Sequence, residues 1–381
     1  MRIARSVITV SACLFVLLCT VLFFTSEKKT QSENENRLLA QFPSCDAESI
    51  VSGKFTAGIE DYTRDHFPFR DGFVQIKTRA QTAFGFKELS DVYIGKDRLF
   101  QKASEPNSER FEKAVVRLCD NIDRSDVKVS LMLLPTASYF YADELPANAP
   151  TIDQPAVIDK IEAACKPAHP VVIDKTTFGE HNEKNLYYRT DHHWTSYAAL
   201  CAYHAYCDSV GLSTRPISDY SVETLSDSFR GTLYSRVPDN RLSADTIERY
   251  TLSDTDFDAF YAKSVTDICD KNYTPYPYFS DEALEKKDKY TYFGGENYPL
   301  VLLKSKNPAT DREIVLAKDS FANVLAPYLT ENFAAVYIID QRYLQGKSVS
   351  DFVNENEKVS DVLILYGLNS LNDNTGAGKL S

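Results

Sequence analysis

The sequence predicts an α/β fold with a mostly parallel central sheet, preceded by one N-terminal membrane-crossing helix. Three observations carry that expectation. Beyond residue 299, strand-like and helix-like stretches alternate, the order that builds a parallel sheet covered on both faces. Residues 127–134 end in an unbroken apolar run stopped by Pro135, as expected of a strand buried on both sides. Residues 6–25 carry no charge, and about 20 apolar residues cross a bilayer as a helix.

Taken in order, Arg2 and Arg5 precede the apolar stretch and Lys28 and Lys29 follow it. Basic residues ahead of a span place the N-terminus inside. The stretch is longer than a signal-peptide core and lacks a small-x-small cleavage site. Residues 1–25 therefore read as a cytoplasmic tip and uncleaved anchor, contacting the lipid bilayer through residues 6–25. The expected address is the cell membrane, single-pass, with the rest of the chain extracytoplasmic. A cleaved signal peptide is the alternative, with the same address for the mature chain. Residues 26–37 have the composition of a solvated linker, and residues 38–371 form the extracytoplasmic domain.

Within that domain, residues 59–86 are helical in pattern, interrupted at His66-Phe67-Pro68-Phe69-Arg70 where proline breaks the ladder. Residues 92–95 and 98–100, joined by Lys96-Asp97, read as a short hairpin. An amphipathic helix over 108–123 leads to the strand at 127–134, and 170–174 gives a second short strand. Tyr197, Leu200, Cys201, His204 and Cys207 recur at helical spacing, so 195–210 is a helix stopped by Gly211. Thr195 or Ser196 caps its start. Residues 213–297 are rich in Ser, Asp and Tyr with little periodicity, and read as an inserted, loop-rich region. Then come strands at 299–303, 313–317, 333–339 and 361–366, with helices at 321–329 and 348–357. The tail, 372–381, should be loose. There is no internal repeat.

Length allows roughly one to three domains. A net charge of −12 opposes nucleic-acid binding, which needs a basic face. The 23 tyrosines against one tryptophan suit either sugar recognition or packing. Cys13 and Cys19 lie in the anchor, leaving Cys45, Cys119, Cys165, Cys201, Cys207 and Cys269. Outside the cell these are free to pair, and the sequence does not choose the pairing. No C-x-x-C unit occurs, so neither a zinc ribbon nor a thioredoxin motif is supported. The cysteines read as small buried residues.

The chemistry concentrates in Asp191-His192-His193-Trp194, which precedes a helix, and in Lys318-Asp319-Ser320-Phe321, which follows a strand. Functional groups in α/β sheets gather beyond the carboxyl ends of the strands. A helix start there offers free N–H groups and a positive dipole end to a developing oxyanion. Ser320 needs an adjacent base to act as a nucleophile, and His193 oriented by Asp191 supplies one. Otherwise Ser320 is an ordinary helix cap and His193 a hydrogen-bonded structural histidine. Trp194 reads as a packing residue behind the loop. A metal site built from Asp191, His192, His193 and His181 is the competing reading, but the H-x₃-H and H-E-x-x-H spacings are absent.

Thr190-Asp191-His192-His193-Trp194 followed by Asp319-Ser320-Phe321 resembles the DHHW protein family, which is similar to SGNH-hydrolase-like polysaccharide O-acetyltransferases of the alginate type. Glu35-Asn36-Arg37, Asp65-His66-Phe67-Pro68-Phe69-Arg70, the hairpin at 92–100 and residues 361–371 extend the likeness. The resemblance implies an SGNH-like α/β/α sandwich with Asp191 as orienting carboxylate, His193 as base, Ser320 as nucleophile and His192 at a variable position. Lys318 stands where many such proteins have glycine. Arg342 and His192 are further substrate or oxyanion contacts, with a surface ion pair the alternative for Arg342.

The implied reaction is acetyl transfer through an acetyl-serine to a sugar hydroxyl on a polysaccharide, with no cofactor and no metal. A membrane-bound O-acyltransferase would be the acetyl-donor partner. An acetyl esterase with the same triad, a non-catalytic cell-envelope scaffold and a metal-dependent hydrolase remain as alternatives.

Overall fold

Successive residues along the central strands go to opposite faces, and here both faces are apolar. Met132, Leu134, Leu316, Leu363 and Leu365 enter one core cluster, while Leu131, Leu133, Val315, Val362 and Ile364 enter another. A sheet buried on both sides needs helices on both sides. The structure, a computed structural model, describes residues 2–32, 37–179, 185–344, 346–372 and 380. Glu35, Asn36, His181 and residues 373–379 and 381 lie outside the described residues.

The chain divides into two compact units, Met1–Leu89 with Tyr234–Arg241, and Ser90–Leu233 with Leu242–Ser381. Residues 38–89 fall in the first. That unit opens with α1 (Arg2–Thr25), whose Ser6–Thr25 stretch has mean hydropathy 2.8 and is long and apolar enough to cross a membrane. Helices α2 (Lys54–Asp65) and α3 (Arg70–Ala83) follow, broken at Pro68 as expected, with Phe69 in the left-handed region at φ 61°.

The second unit begins with a hairpin, β1 (Val92–Ile94) and β2 (Leu99–Gln101). It continues through α4 (Glu109–Asn121), β3 (Lys128–Leu134), α5 (Gln154–Ala164), β4 (His169–Pro170) and α6 (Ser196–Val210). Next come β5 (Ser221–Phe229), β6 (Asp245–Thr251), β7 (Phe257–Ala262) and β8 (Thr274–Pro275). The last segment holds β9 (Leu300–Ser305), β10 (Glu313–Lys318), α7 (Ala322–Leu329), β11 (Ala335–Ile339), α8 (Val349–Glu355) and β12 (Val359–Gly367).

Eight strands pair in the order β8-β7-β9-β11-β10-β12-β3-β4. The run from β11 to β4 is parallel, and β9, β7 and β8 add antiparallel edges. Helices α6 and α7 pack in the first core cluster, and α4, α5 and α8 in the second. The architecture is the expected SGNH-like α/β/α sandwich with a mostly parallel sheet.

Two elements depart from the sequence reading. The strand expected over 170–174 stops at Pro170, because Asp174 turns the chain by accepting the N–H groups of Thr176 and Thr177. The 213–297 region is more than an insertion, since β7 and β8 extend the central sheet. Its first strand, β5, is exposed at most positions, so it carries no inward-outward alternation to read. Among the described residues no cysteine is paired; Cys165, Cys201 and Cys207 are buried, but Cys45 and Cys269 are exposed.

The carboxyl end of β10 carries a buried charge. The Lys318 ammonium lies 3.4 Å from Asp340 Oδ2 and donates to Asn323 Oδ1 at 2.8 Å. Removing one partner of a buried ion pair strands the other. Asp340→Ala should therefore destabilise the chain by about 3–5 kcal/mol, and Lys318→Met, which leaves Asp340 paired with Arg342, by clearly less. Urea unfolding of the full chain measures both, and an equal cost for the two would refute this ranking.

Candidate active site

The Asp191-His192-His193 loop is clasped at its base. Tyr187 and Trp194 form an isolated antiparallel bridge. The Tyr188 N–H donates to the His193 carbonyl at 3.1 Å, and the Thr195 N–H to Leu186 at 2.9 Å. From Thr195 the chain enters α6, with the threonine hydroxyl capping the Ala198 N–H. The hairpin braces the outer strand of the clasp: Leu99 N–H donates to the Arg189 carbonyl at 2.8 Å and Arg98 Nη1 to that of Tyr187 at 3.2 Å.

A buried carboxylate from β6 holds the tip. Asp245 accepts the N–H groups of Arg189 (2.7 Å) and Thr190 (2.9 Å) and the Thr190 hydroxyl (2.5 Å). Burial pushes the Asp245 carboxyl up, and these bonds oppose the shift. The Thr190 oxygen in turn accepts the Gly231 N–H at 3.1 Å. A Cβ at Gly231 would collide with the Asp191 carboxylate, so this approach requires glycine.

Asp191 is thereby fixed with both oxygens engaged. Its Oδ2 accepts the Thr232 N–H at 2.6 Å and the Thr232 hydroxyl at 3.0 Å. Its Oδ1 accepts the His193 N–H at 2.9 Å and meets His193 Nδ1 at 2.6 Å. Burial alone would raise this carboxyl, but His192, His193 and Thr232 outweigh it and hold Asp191 well below the usual carboxylate range. An ionised Asp191 can only accept, so Nδ1 carries the proton and Nε2 is left as an acceptor.

That acceptor faces the second loop. His193 Nε2 lies 2.7 Å from Ser320 Oγ, joining residues from two distant loops in one line. Ser320 is half-buried between the end of β10 and the start of α7. Its neighbour Asp319 takes no part in the line and braces the turn instead, accepting the N–H groups of Phe321 (3.0 Å) and Gly367 (2.8 Å) and the Ser370 hydroxyl (2.6 Å). The Trp194 indole N–H donates to the Phe321 carbonyl at 2.9 Å, tying the histidine loop to the serine loop. Among the described residues the Ser320 backbone N–H has no acceptor.

Tyr290 lies flat on the His193 imidazole, with ring centroids 3.8 Å apart and planes within 10°. Its hydroxyl donates to the Ser320 carbonyl at 3.1 Å. Burial pushes this phenol well above its ordinary value, so it stays a donor. Beside the line lies a cavity of about 200 Å³ bordered by Gln101, Thr136, His192, Phe321 and Asn369.

The structure thus brings Asp191, His193 and Ser320 together. His192 borders the cavity, with Nδ1 2.8 Å from the Thr232 hydroxyl. Arg342 forks onto Asp340, with Nε 2.9 Å from Oδ1 and Nη2 2.6 Å from Oδ2, beside the buried Lys318. Asp191, His192 and His193 also offer ligand atoms within 4.8 Å of one another. Thr232, Asp245 and Tyr290 went unseen in the sequence. All three come from the 213–297 region, where no spacing or repeat marks them.

The profile of the DHHW protein family matches residues 87–339. A search of curated proteins gave no significant match. Among solved structures, a DHHW family protein from Eubacterium siraeum aligns with TM-score 0.63 and 23% identity, covering 76% of this chain and 97% of that one. Bacillus cereus PatB1 bearing a sulfonyl adduct aligns with TM-score 0.62 and 19% identity over 76% of this chain and 98% of that one. A second PatB1 structure gives TM-score 0.61 and 20% identity over 76% and 99%. These likenesses are to the fold. With its motif residues in place and more than half its length matched, the chain belongs to the DHHW protein family.

Proposed function

We propose that this chain is a membrane-anchored, extracytoplasmic serine O-acetyltransferase that acts on a polysaccharide. The observation that carries the reading is the unbroken line from Asp191 through His193 to Ser320. His193 Nε2 takes the Ser320 proton as Oγ bonds to the acetyl carbonyl carbon. Asp191 opposes the charge that forms on the imidazole. The oxyanion faces the Ser320 N–H at the positive end of α7. The donor's leaving group departs with the proton from Nε2, leaving acetyl-serine.

In the second half a sugar hydroxyl gives its proton to Nε2 and attacks the acetyl carbon, and Ser320 regains its proton. Water in place of the sugar makes the same site an esterase, and exclusion of water decides between them. His192, at the cavity wall, is a substrate contact in this reading. Arg342 fixes Asp340, which in turn answers Lys318 just before the nucleophile. Residues 1–25 anchor the protein, residues 26–37 link the anchor to the domain, and a membrane-bound O-acyltransferase supplies the acetyl group from across the bilayer. The resemblance in sequence supports these last assignments.

A second reading, a metal-dependent hydrolase, is favoured by the close grouping of Asp191, His192 and His193. Hydrolysis of a nitrophenyl acetate by the full chain separates the readings. Ser320→Ala should lower the rate by at least about 10³-fold, and a sulfonyl fluoride should modify wild type at Ser320. The fold-mate PatB1 has a structure with a sulfonyl adduct, which motivates the choice of reagent. Activity that survives Ser320→Ala but is lost to a chelator would favour the metal reading. Inactive wild type with an unlabelled Ser320 would favour a scaffold.

Tyr290 provides a finer test. Tyr290→Phe keeps the stack on His193 and loses one neutral hydrogen bond, costing about 1 kcal/mol, or roughly fivefold in kcat. Tyr290→Leu also loses the stack and should fall by roughly a further threefold to tenfold. A purely structural role predicts equal losses with an unshifted pH profile. Ring orientation by Tyr290 predicts that the acid limb of kcat/KM moves in the leucine variant alone.

A further inference from the structure

A larger cleft, of about 860 Å³, lies elsewhere in the second unit, and none of Asp191, His193 and Ser320 lines it. It follows α7. Pro327 and Tyr328 in that helix's last turn and Glu331 just beyond it line one side, and the Tyr278 side chain on the opposite wall donates its hydroxyl to the Asn323 carbonyl at 2.6 Å. Tyr276, Tyr278, Phe279 and Tyr328 supply aromatic walls.

Two polar groups in those walls are incompletely used. Arg249 donates through Nη1 to the Tyr292 hydroxyl (2.7 Å) and through Nη2 to Glu223 (2.6 Å), and its guanidinium lies 5.3 Å from the Phe279 ring centroid. Its Nε–H is buried with no acceptor. Glu331 accepts the Tyr220 hydroxyl at 2.8 and 2.7 Å and that of Tyr203 at 3.4 Å. A carboxylate has about four acceptor sites, so capacity remains. The lining carries Asp256, Asp258 and Glu331 beside one guanidinium. Asp256 and Asp258 share Lys306, at 2.8 and 3.3 Å, and Arg249 is matched by Glu223, so the excess charge at the cleft is negative.

We propose that this cleft is a saccharide-binding site, separate from the acyl-transfer centre, for neutral or amine-bearing sugar chains and not for uronates. A pyranose pairs an apolar C–H face with hydroxyls that both donate and accept, matching aromatic walls that carry a guanidinium and a carboxylate with open acceptor sites. An apolar or aromatic ligand would leave the spare acceptor sites of Glu331 unused. A uronate chain would bring negative charge against Glu331, Asp256 and Asp258. The site deepens the polysaccharide reading by naming a chemical class for the acceptor, and it rests on that reading only for its biological role.

Calorimetric titration of the full chain as Ser320→Ala, which removes turnover, tests the proposal. Cellotetraose, a chitosan tetramer, a tetragalacturonate and a cationic peptide are the four probes. The neutral and amine-bearing tetramers should bind at least about tenfold more tightly than the uronate. Tyr276→Ala and Arg249→Met should each weaken that binding by about tenfold or more. On the wild-type background both variants should hydrolyse nitrophenyl acetate at the wild-type rate, showing that they fold. No saccharide binding, equal binding of the uronate, binding of the peptide alone, or variants that bind unchanged would each overturn it. Binding failure with intact hydrolysis sinks only this site; hydrolysis failure with intact binding sinks only the triad.

Discussion

The hydrogen bond from the Trp194 indole to the Phe321 carbonyl sets the distance between two loops that share no element. One loop is presented by the clasp at Tyr187 and Trp194, the other by the end of β10. Neither can be moved independently once that bond and the edge-to-face contact of Trp194 with Phe321 are made. The short approach of His193 to Ser320 follows from it. A general base must lie within hydrogen-bond reach of the proton it takes, and here a buried indole, which touches neither reacting atom, sets that reach.

Buried carboxylates do most of the remaining positioning, each in a different way. Asp191 is held ionised because neighbouring histidines and Thr232 outweigh its burial. Asp245 spends its lone pairs on the backbone of Arg189 and Thr190, and so shapes the loop without entering the line. Asp319 does the same for the turn after Ser320. Asp340 answers Lys318 and Arg342 together, which explains how a lysine is accommodated, buried, at the end of β10. Its charge is matched within the sheet end, and the turn that follows is left to Asp319.

How much of this the sequence reveals depends on whether a residue's role leaves a local pattern. The strands around Val315 and Leu363 are apolar on both faces because both faces are covered, so composition alone exposes them. Asp191 and His193 are legible because a carboxylate two residues before a histidine is a compact chemical unit. Ser320 is legible because a strand ends just before it and a helix begins just after. Tyr290 is not, because it acts by lying on another ring, a relation between distant positions that leaves no spacing. Thr232 and Asp245 are hidden for the same reason. β5 leaves no local pattern because its faces are largely solvated, and alternation disappears when neither side is buried.

The region that reads least clearly therefore carries much of the support. Asp245, Gly231, Thr232 and Tyr290 all reach the histidine loop from the span between α6 and β9. Apart from the Tyr290 stack, each contact is an ordinary neutral or charge-assisted hydrogen bond, worth about 0.5–3 kcal/mol taken alone. Their effect is joint, because Gly231 N–H bonds Thr190, Thr190 bonds Asp245, and Thr232 bonds the Asp191 that aligns His193. Within such a network deletions are not additive, since each bond fixes a group that the next requires. In the proposed reaction the two loops supply the reacting groups, and this segment restricts them to one arrangement. A motif search that stops at Asp191, His193 and Ser320 finds the proposed reacting groups but omits the residues that keep them in register.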